Sequence, residues 1–354
     1  MNHSYFITGY PGFIASKLVK ALQTEYPSSS FYLLILKHER QIAENKLENQ
    51  YDHIHLLEGD ITKDQLGLSS TEIEHLSEHI THCIHLAALY DLTIPYEPAY
   101  SCNVTGTKNV LSFVESCKNL KRFCYFSTAY VSGNEQGEIL ENDLKEPQSF
   151  RNFYEQTKHE AESIVRASIN RIPTTIIRPG IIVGDSITGE TIKFDGPYFM
   201  MQFINRLARL PIPNIGKSTS KIHLVPVDFI IKASVFLMHD AKGESKTYHL
   251  LSPDSPSIQE AYSLLCQELT GKKPSWTLSN RFAERLLSFS ILSKWLGVPY
   301  ETLSYFSHDA QYDTTQLMSD LQGTEIKCPP FEEYVGPIVQ YYKNNASDLN
   351  LKRY

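Results

Sequence analysis

Ser4–Thr8 is a short apolar run of strand character that leads directly into Gly9-Tyr10-Pro11-Gly12-Phe13-Ile14-Ala15. Helical spacing follows, with Ile14, Leu18 and Leu22 on one face. A strand, a glycine turn and a helix in that order restrict the chain to few folds. Gly9 permits a tight turn, Gly12 lets the backbone approach a pyrophosphate, and the small Ala15 lets helix and strand pack closely. The first N–H groups of the helix then face the anion. An ordinary Gly-Pro turn would look similar, but the position at the first strand-to-helix junction favours nucleotide binding. The candidate contacts here are Thr8, Gly9, Tyr10, Pro11, Gly12, Phe13 and Ile14.

The alternation continues. Strand-like runs are expected at 31–36, 54–57, 82–87, 122–127 and 174–178, with helices at 13–26, 104–117 and 153–169. Strands separated by helices predict a parallel sheet with right-handed crossovers, an α/β fold of the doubly wound Rossmann type. Ligands in such sheets bind beyond the carboxyl ends of the strands. After Gly180 the pattern breaks: residues 185–222 are rich in Gly, Pro and polar side chains around a short helix near 198–210. A helix over 226–239 and a strand over 247–251 return to the sheet, and the rest is helical and loop-rich. The expected division is a cofactor domain of residues 1–185 plus 223–252. Residues 186–222 plus 253–354 form a smaller, mainly helical substrate-binding cap.

Composition removes several classes. With 42% hydrophobic and 21% charged residues the chain can bury a core, and a formal charge of −7 argues against a nucleic-acid partner. Its six cysteines form no CxxC pair, which suits reduced thiols and a cytoplasmic location. No run approaches the roughly 18 apolar residues of a membrane span. Chain length leaves monomer and homodimer both open.

The end of the second strand bears on the cofactor. A carboxylate there usually binds ribose hydroxyls, whereas this chain has Leu36-Lys37-His38-Glu39-Arg40. Lys37 and Arg40 suit a 2′-phosphate and favour NADPH, while Glu39 keeps NADH open. Further along, Tyr154 and Lys158 stand four apart on one helix face. The spacing alone carries nothing in a chain with this many tyrosines; its place between the fifth and sixth strands does. The fifth strand ends in Phe126-Ser127-Thr128-Ala129, bringing hydroxyls to the same edge. A free phenol titrates near pH 10, and a neighbouring ammonium would lower that and help it move a proton.

On these residues the chain resembles an extended short-chain dehydrogenase/reductase. The matching stretches are Thr8-Gly9-x-x-Gly12-Phe13-Ile14-Ala15, Gly59-Asp60-Ile61, His85-Leu86-Ala87-Ala88 and Asn103-Val104-x-Gly106-Thr107. They continue through Ser127-Thr128-Ala129, Tyr154-x-x-x-Lys158, Arg178-Pro179-Gly180 and Pro226-Val227-Asp228. The resemblance implies cofactor contacts from Asp60, Ile61, Leu86, Ala87, Ala88, Asn103, Tyr154, Lys158, Pro179, Gly180, Ile181 and Ile182. Within the family, the segments 85–92, 126–133 and 177–186 resemble the thioester-reductase and fatty acyl-CoA reductase (male-sterility-type) branch. That branch implies reduction of an acyl-CoA or acyl-carrier-protein thioester to an aldehyde, or on to an alcohol. Thr128 and Tyr154 would hold the carbonyl oxygen, and Lys158 would bind the nicotinamide ribose and tune Tyr154. Rival readings are a dehydrogenase of a hydroxysteroid or lipid ketone, a nucleotide-sugar epimerase, and a non-catalytic NADP-binding sensor or scaffold.

Other features take plainer readings. His75, His79, His82 and His85 recur at close spacing but fall partly in a strand, so no metal site is expected. Cys102, Cys117 and Cys124 read as small core residues. Residues 281–298 show an amphipathic stripe of Phe282, Leu286, Phe289, Leu292 and Leu296, suited to cap packing, a lid, or peripheral contact with a membrane. The stretch 195–203 offers aromatic and Met side chains to an apolar substrate.

Overall fold

The computed structural model describes residues 2–47, 53–91, 93–208, 210–215, 220–278, 309–348 and 351. Seven strands build one parallel sheet: β1 (Ser4–Thr8), β2 (Ser30–Ile35), β3 (Ile54–Glu58), β4 (His82–His85), β5 (Arg122–Phe126), β7 (Thr174–Pro179) and β11 (Lys246–Leu250). Its order is β11-β7-β5-β4-β1-β2-β3. Between β5 and β7 lies the short β6 (Gly137–Ile139), and β8 (Ile181–Val183), β9 (Pro213–Ile215) and β10 (Leu224–Pro226) precede β11. The order reverses beside β1, which leaves a crevice at the carboxyl edge between β1 and β4. Both faces are covered, so the strands are apolar along their length: all five residues of β5 and all six of β7 are buried.

The helices are α1 (Phe13–Glu25), α2 (Arg40–Leu47), α3 (Ser70–His79), α4 (Tyr96–Tyr100), α5 (Gly106–Ser116) and α6 (Phe153–Ser168). Then come α7 (Pro197–Leu207), α8 (Val227–His239), α9 (Ile258–Thr270), α10 (Thr315–Leu321) and α11 (Phe331–Asn345). α1 and α8 bury Leu18, Leu22, Ile230 and Leu237 against one face of the sheet, while α5 and α6 bury Val110, Val114, Ala161 and Val165 against the other. α7, α9 and α11 form a separate core around Tyr198, Met201, Leu265, Tyr334 and Ile338. β12 (Trp276–Leu278) pairs with β9, and β13 (Ala310–Tyr312) with β6.

Three local differences from the expected elements have physical reasons. The fourth strand ends at His85, because the Leu86 and Ala87 amides turn to the Thr8 hydroxyl instead of a neighbouring strand. The helix expected at 104 begins at Tyr96 and runs through a π-helical turn at Ser101–Thr105 before α5. His82 and His85 are buried strand residues, whereas His75 and His79 stack on each other on the exposed side of α3. The stripe at 281–298 lies outside the described residues. Among the described residues, no helix is long and apolar enough to cross a membrane.

Candidate active site

The glycine turn is forced by what surrounds it. Gly9 has φ +87°, and a Cβ there would lie 2.8 Å from the Ala87 amide nitrogen. At Gly12 a Cβ would lie 2.7 Å from the Gly9 carbonyl oxygen. Gly12 also caps α1 without a side-chain hydrogen bond, and no acidic residue sits in the first turn. The first amides of α1 are therefore left for an anion.

Behind the turn, one buried chain of hydrogen bonds settles its own proton directions. The Thr107 hydroxyl donates to the Asn103 carbonyl at 2.6 Å, so His85 Nε2, 3.0 Å from Thr107 Oγ1, carries a hydrogen and donates to it. His85 Nδ1 then accepts from the Thr8 hydroxyl at 2.7 Å, and Thr8 Oγ1 accepts the Leu86 and Ala87 amides at 3.2 Å each. Burial, with the charge of Lys158 nearby, pushes the imidazole down to about 3. His85 is a neutral brace that ties the end of β4 to the end of β1.

Thr128, Tyr154 and Lys158 meet at the carboxyl edge of β5. Thr128 caps the turn after the strand, accepting the Tyr130 amide at 3.3 Å. Asn152 caps α6 through the Glu155 amide at 2.9 Å, which fixes the start of the helix carrying Tyr154 and Lys158. Burial raises the Tyr154 phenol well above its ordinary value, and a hydrogen bond with the Thr128 side chain opposes that rise. The Tyr90 ring meets the Tyr154 ring edge-on at 5.0 Å. Lys158 is 3% exposed and donates to the Phe126 carbonyl at 2.7 Å and to the Tyr125 hydroxyl at 3.0 Å. Burial lowers its ammonium to about 8, against the pull of the Glu162 carboxylate.

One turn below Lys158, Glu162 is fully buried and bound by Arg178 at 2.6 Å, Arg166 at 2.8 Å and the Ser127 hydroxyl at 2.6 Å. Burial alone would raise this carboxyl, but the two guanidinium groups and Ser127 hold it at about 2. Arg178 also donates to the Asp143 carbonyl at 2.7 Å and lies 3.1 Å from His249 Nε2. The Arg-Pro-Gly segment thus divides: Arg178 faces this network, and Pro179 and Gly180 face the cavity.

A single cavity of about 930 Å³ joins these parts. Of the residues expected from sequence, it is lined by Thr8, Gly9, Tyr10, Gly12, Phe13, Ile14, Asp60, Ile61, Leu86, Ala87, Ala88, Thr128, Tyr154, Lys158, Pro179, Gly180, Ile181 and Ile182. Four others stand elsewhere. Pro11 turns its carbonyl to Lys46 at 2.7 Å, and Lys37 is exposed before α2. Arg40 lies in ion pairs with Glu44 at 3.0 Å and Glu58 at 2.9 Å. Asn103 sits behind the wall, its Oδ1 accepting the Leu89 amide at 2.9 Å and its Nδ2 donating to Thr157 at 3.0 Å. The cavity also takes in Glu39, Tyr90, Cys102, Ser127 and Glu155, which sequence reasoning did not nominate as site residues. It is also lined by the apolar Ile192, Pro197, Phe199, Met200, Phe203, Ile258 and Tyr262, among which stand Lys193, Asp195, Lys221 and His223. α7 serves both cavity and core, since Tyr198 and Met201 pack into the core it shares with α9 and α11, and Phe203 belongs to that core and to the cavity wall. Among the described residues, no cluster of three or more His, Cys, Asp or Glu side chains is arranged to hold a metal ion.

A parallel sheet in this order, with the glycine turn and a Tyr-x-x-x-Lys pair on one cavity, is the architecture of the extended short-chain dehydrogenase/reductase class. The family described as male sterility protein matches residues 7–234, and the chain belongs to that family. L-2-aminoadipate reductase of Saccharomyces cerevisiae is 29% identical over 262 residues, covering 65% of this chain and 18% of that protein. Fatty acyl-CoA reductase wat of Drosophila melanogaster is 26% identical over 272 residues, covering 64% of this chain and 52% of that protein. The chain therefore spans about half the length of the fly protein and a smaller part of the yeast one. The solved terminal R domain from the myxalamid PKS-NRPS biosynthetic pathway shares the fold, with a TM-score of 0.83 at 24% identity over 97% of this chain and 91% of that one. These similarities lie in the thioester-reductase branch of the class.

Proposed function

We propose that the chain reduces an acyl thioester, carried on CoA or a carrier protein, to an aldehyde, with NADPH as the reductant and Thr128, Tyr154 and Lys158 as the working side chains. The carrying observation is the single cavity, lined by a phosphate-compatible glycine turn, the three polar side chains and apolar cap residues. The residues present suit a dinucleotide. Gly9 turns at φ +87° hard against the Ala87 backbone, which makes the tight turn, and the uncapped start of α1 suits a pyrophosphate. Asp60 and Ile61 would border the adenine, Pro179 to Ile182 the nicotinamide, and Lys158 the ribose next to it. Bound there, NADPH supplies the hydride that the acyl carbon requires.

The side chains do the rest. Thr128 and Tyr154 donate hydrogen bonds to the carbonyl oxygen and stabilise its charge as the carbon becomes tetrahedral. The raised phenol stays protonated, so Tyr154 enters as a donor. Collapse breaks the C–S bond, and the sulfur departs as a thiolate that takes its proton from solvent. The apolar side chains of Phe199, Met200, Phe203 and Ile258 suit the acyl chain. Lys37 and Arg40 at the end of β2 support NADPH; Glu39, which lines the cavity while Arg40 is ion-paired outside it, favours NADH as a second reading.

The test is nicotinamide oxidation with a long-chain acyl-CoA, a ketosteroid and a UDP-sugar, with free thiol measured in parallel. Oxidation with stoichiometric thiol release from the acyl-CoA is expected. Oxidation by the ketosteroid alone, without thiol, overturns the thioester reading.

A further inference from the structure

Lys158 is a buried cation with an unusual set of partners. Among the described residues, no carboxylate lies within ion-pairing distance of its ammonium; the nearby Glu162 is engaged by Arg178, Arg166 and Ser127. Two of its three N–H bonds go to neutral oxygens, the Phe126 carbonyl and the Tyr125 hydroxyl. The first is backbone and common to any sequence. The second is a side-chain choice, made by a fully buried residue of β5 that does not line the cavity.

We infer that Tyr125 is the positioning residue of the site: its hydroxyl holds the Lys158 ammonium in place and leaves the third N–H for the cofactor ribose. The inference takes the role of Lys158 from the function proposed above. The Tyr125 hydroxyl is itself oriented. The Lys158 ammonium donates to its oxygen, so a lone pair faces Lys158 and the phenol's own hydrogen points elsewhere, with the Thr107 side chain among the groups acting on it. Thr107 in turn receives His85, and His85 receives Thr8. Buried polar side chains thus line the way from Tyr125 past Thr107 and His85 to Thr8 at the glycine turn.

The groups facing Lys158 are Glu162 on its own helix, Cys102 from the π-helical turn, His85 from β4 and Tyr125 from β5. His85 stays neutral and burial raises the Cys102 thiol, so neither offers a compensating anion near neutral pH. Loss of the Tyr125 hydroxyl removes one of two fixed acceptors from a buried ammonium, and the neutral amine becomes easier to form.

The experiment uses cofactor-free protein and needs no thioester, so it can fail with the thioester reading intact, and the reverse also holds. Lysine carbons are labelled and Lys158 is titrated by NMR in the native protein and in Tyr125→Phe, with NADPH affinity measured by fluorescence at pH 6 and pH 8. The native titration is expected near the value of about 8 given by its burial, and the variant about one pH unit lower. NADPH affinity should then be unchanged at pH 6 and about fivefold weaker at pH 8, the ratio of protonated fractions for that shift. An unshifted titration overturns the inference, as does an equal loss of affinity at both pH values, which would mean packing alone. Thr107→Ala, which removes a polar side chain acting on the phenol, should shift the titration in the same direction by a smaller amount. If Tyr125→Phe does not fold, an unshifted Thr107→Ala overturns the inference by itself.

Discussion

The two halves of the cavity are built on different principles. On the sheet side, each polar side chain is fixed by partners at the end of a strand. Thr8 is held by His85 and two amides, Lys158 by β5, and Tyr154 by a capped helix beside Thr128. On the cap side, Phe199, Met200 and Phe203 project from α7, which also shares a core with α9 and α11. Strand register positions the first set to within a hydrogen bond, while apolar packing positions the second only by volume. One half should tolerate almost no change, and the other should retune.

The sharpest division comes from Tyr154→Phe. The ring and its edge-on contact with Tyr90 remain, while the hydroxyl that would donate to the carbonyl oxygen and its hydrogen bond with Thr128 are lost. Turnover of an acyl-CoA should fall about 10²–10⁴-fold, with NADPH affinity within about twofold of native. Steady-state kinetics paired with fluorescence titration measure both, and preserved turnover would remove Tyr154 from the mechanism. Gly9→Ala comes next. The new Cβ meets the Ala87 amide at 2.8 Å in a backbone conformation of φ +87°, so the turn must move. Stability should drop by roughly 1–3 kcal/mol and NADPH affinity at least about tenfold, read from urea melts and titration. Native affinity in this variant would mean that the turn does not touch the cofactor.

A cap substitution should behave in another way. Met200 is half-buried and lines the cavity, so Met200→Ala adds space without touching the polar centre. Methylene-scale changes in an apolar pocket discriminate by about 1–3 kcal/mol, so KM for the native chain length should rise about tenfold while longer chains gain. A panel of acyl-CoA lengths reads this directly. If kcat collapses for every length instead, the halves are not separable and the contrast is wrong.

The contrast also explains what could be read from the sequence. Glycine turns, capped helices and strand ends are local, so short motifs pointed to the cavity positions of Thr8, Gly9, Tyr10, Gly12, Phe13, Ile14, Thr128, Tyr154 and Lys158, though not to Pro11 turning away. Asn103 was legible as a motif residue but not in its place, because its role is to hold Leu89 and Thr157 from behind the wall. Of the cap, the sequence pointed to the 195–203 stretch, which supplies Phe199, Met200 and Phe203, but not to the rest. Its walls come from segments far apart in sequence, such as Ile192, Ile222 and Tyr262, with no shared period to reveal them. The C-terminal stretch also divides in a way composition cannot show. Ala310, Tyr312, Leu317 and Leu321 join the sheet's core, whereas Phe331 to Tyr342 build the cap's. Glu39 was visible only as a charge; that it, and not Arg40, faces the cavity depends on the turn after β2.

That turn gives the smallest expected effect. Arg40 is held by Glu44 and Glu58, but all three side chains are exposed to solvent, and such pairs are worth at most about 1 kcal/mol. A 2′-phosphate arriving beside them offers a bidentate partner of higher charge, so Arg40 is free to exchange. Arg40→Ala should therefore lower the preference for NADPH over NADH by about tenfold or less, through KM and not through kcat, since the guanidinium is far from the reacting carbon. Glu39→Gln should act in the opposite sense, because it removes a carboxylate that repels the phosphate. Both ratios come from paired titrations with the two cofactors. If Arg40→Ala leaves the ratio unmoved while Glu39→Gln weakens NADH alone, Glu39 sets the preference, and the sheet half of the cavity is built for NADH.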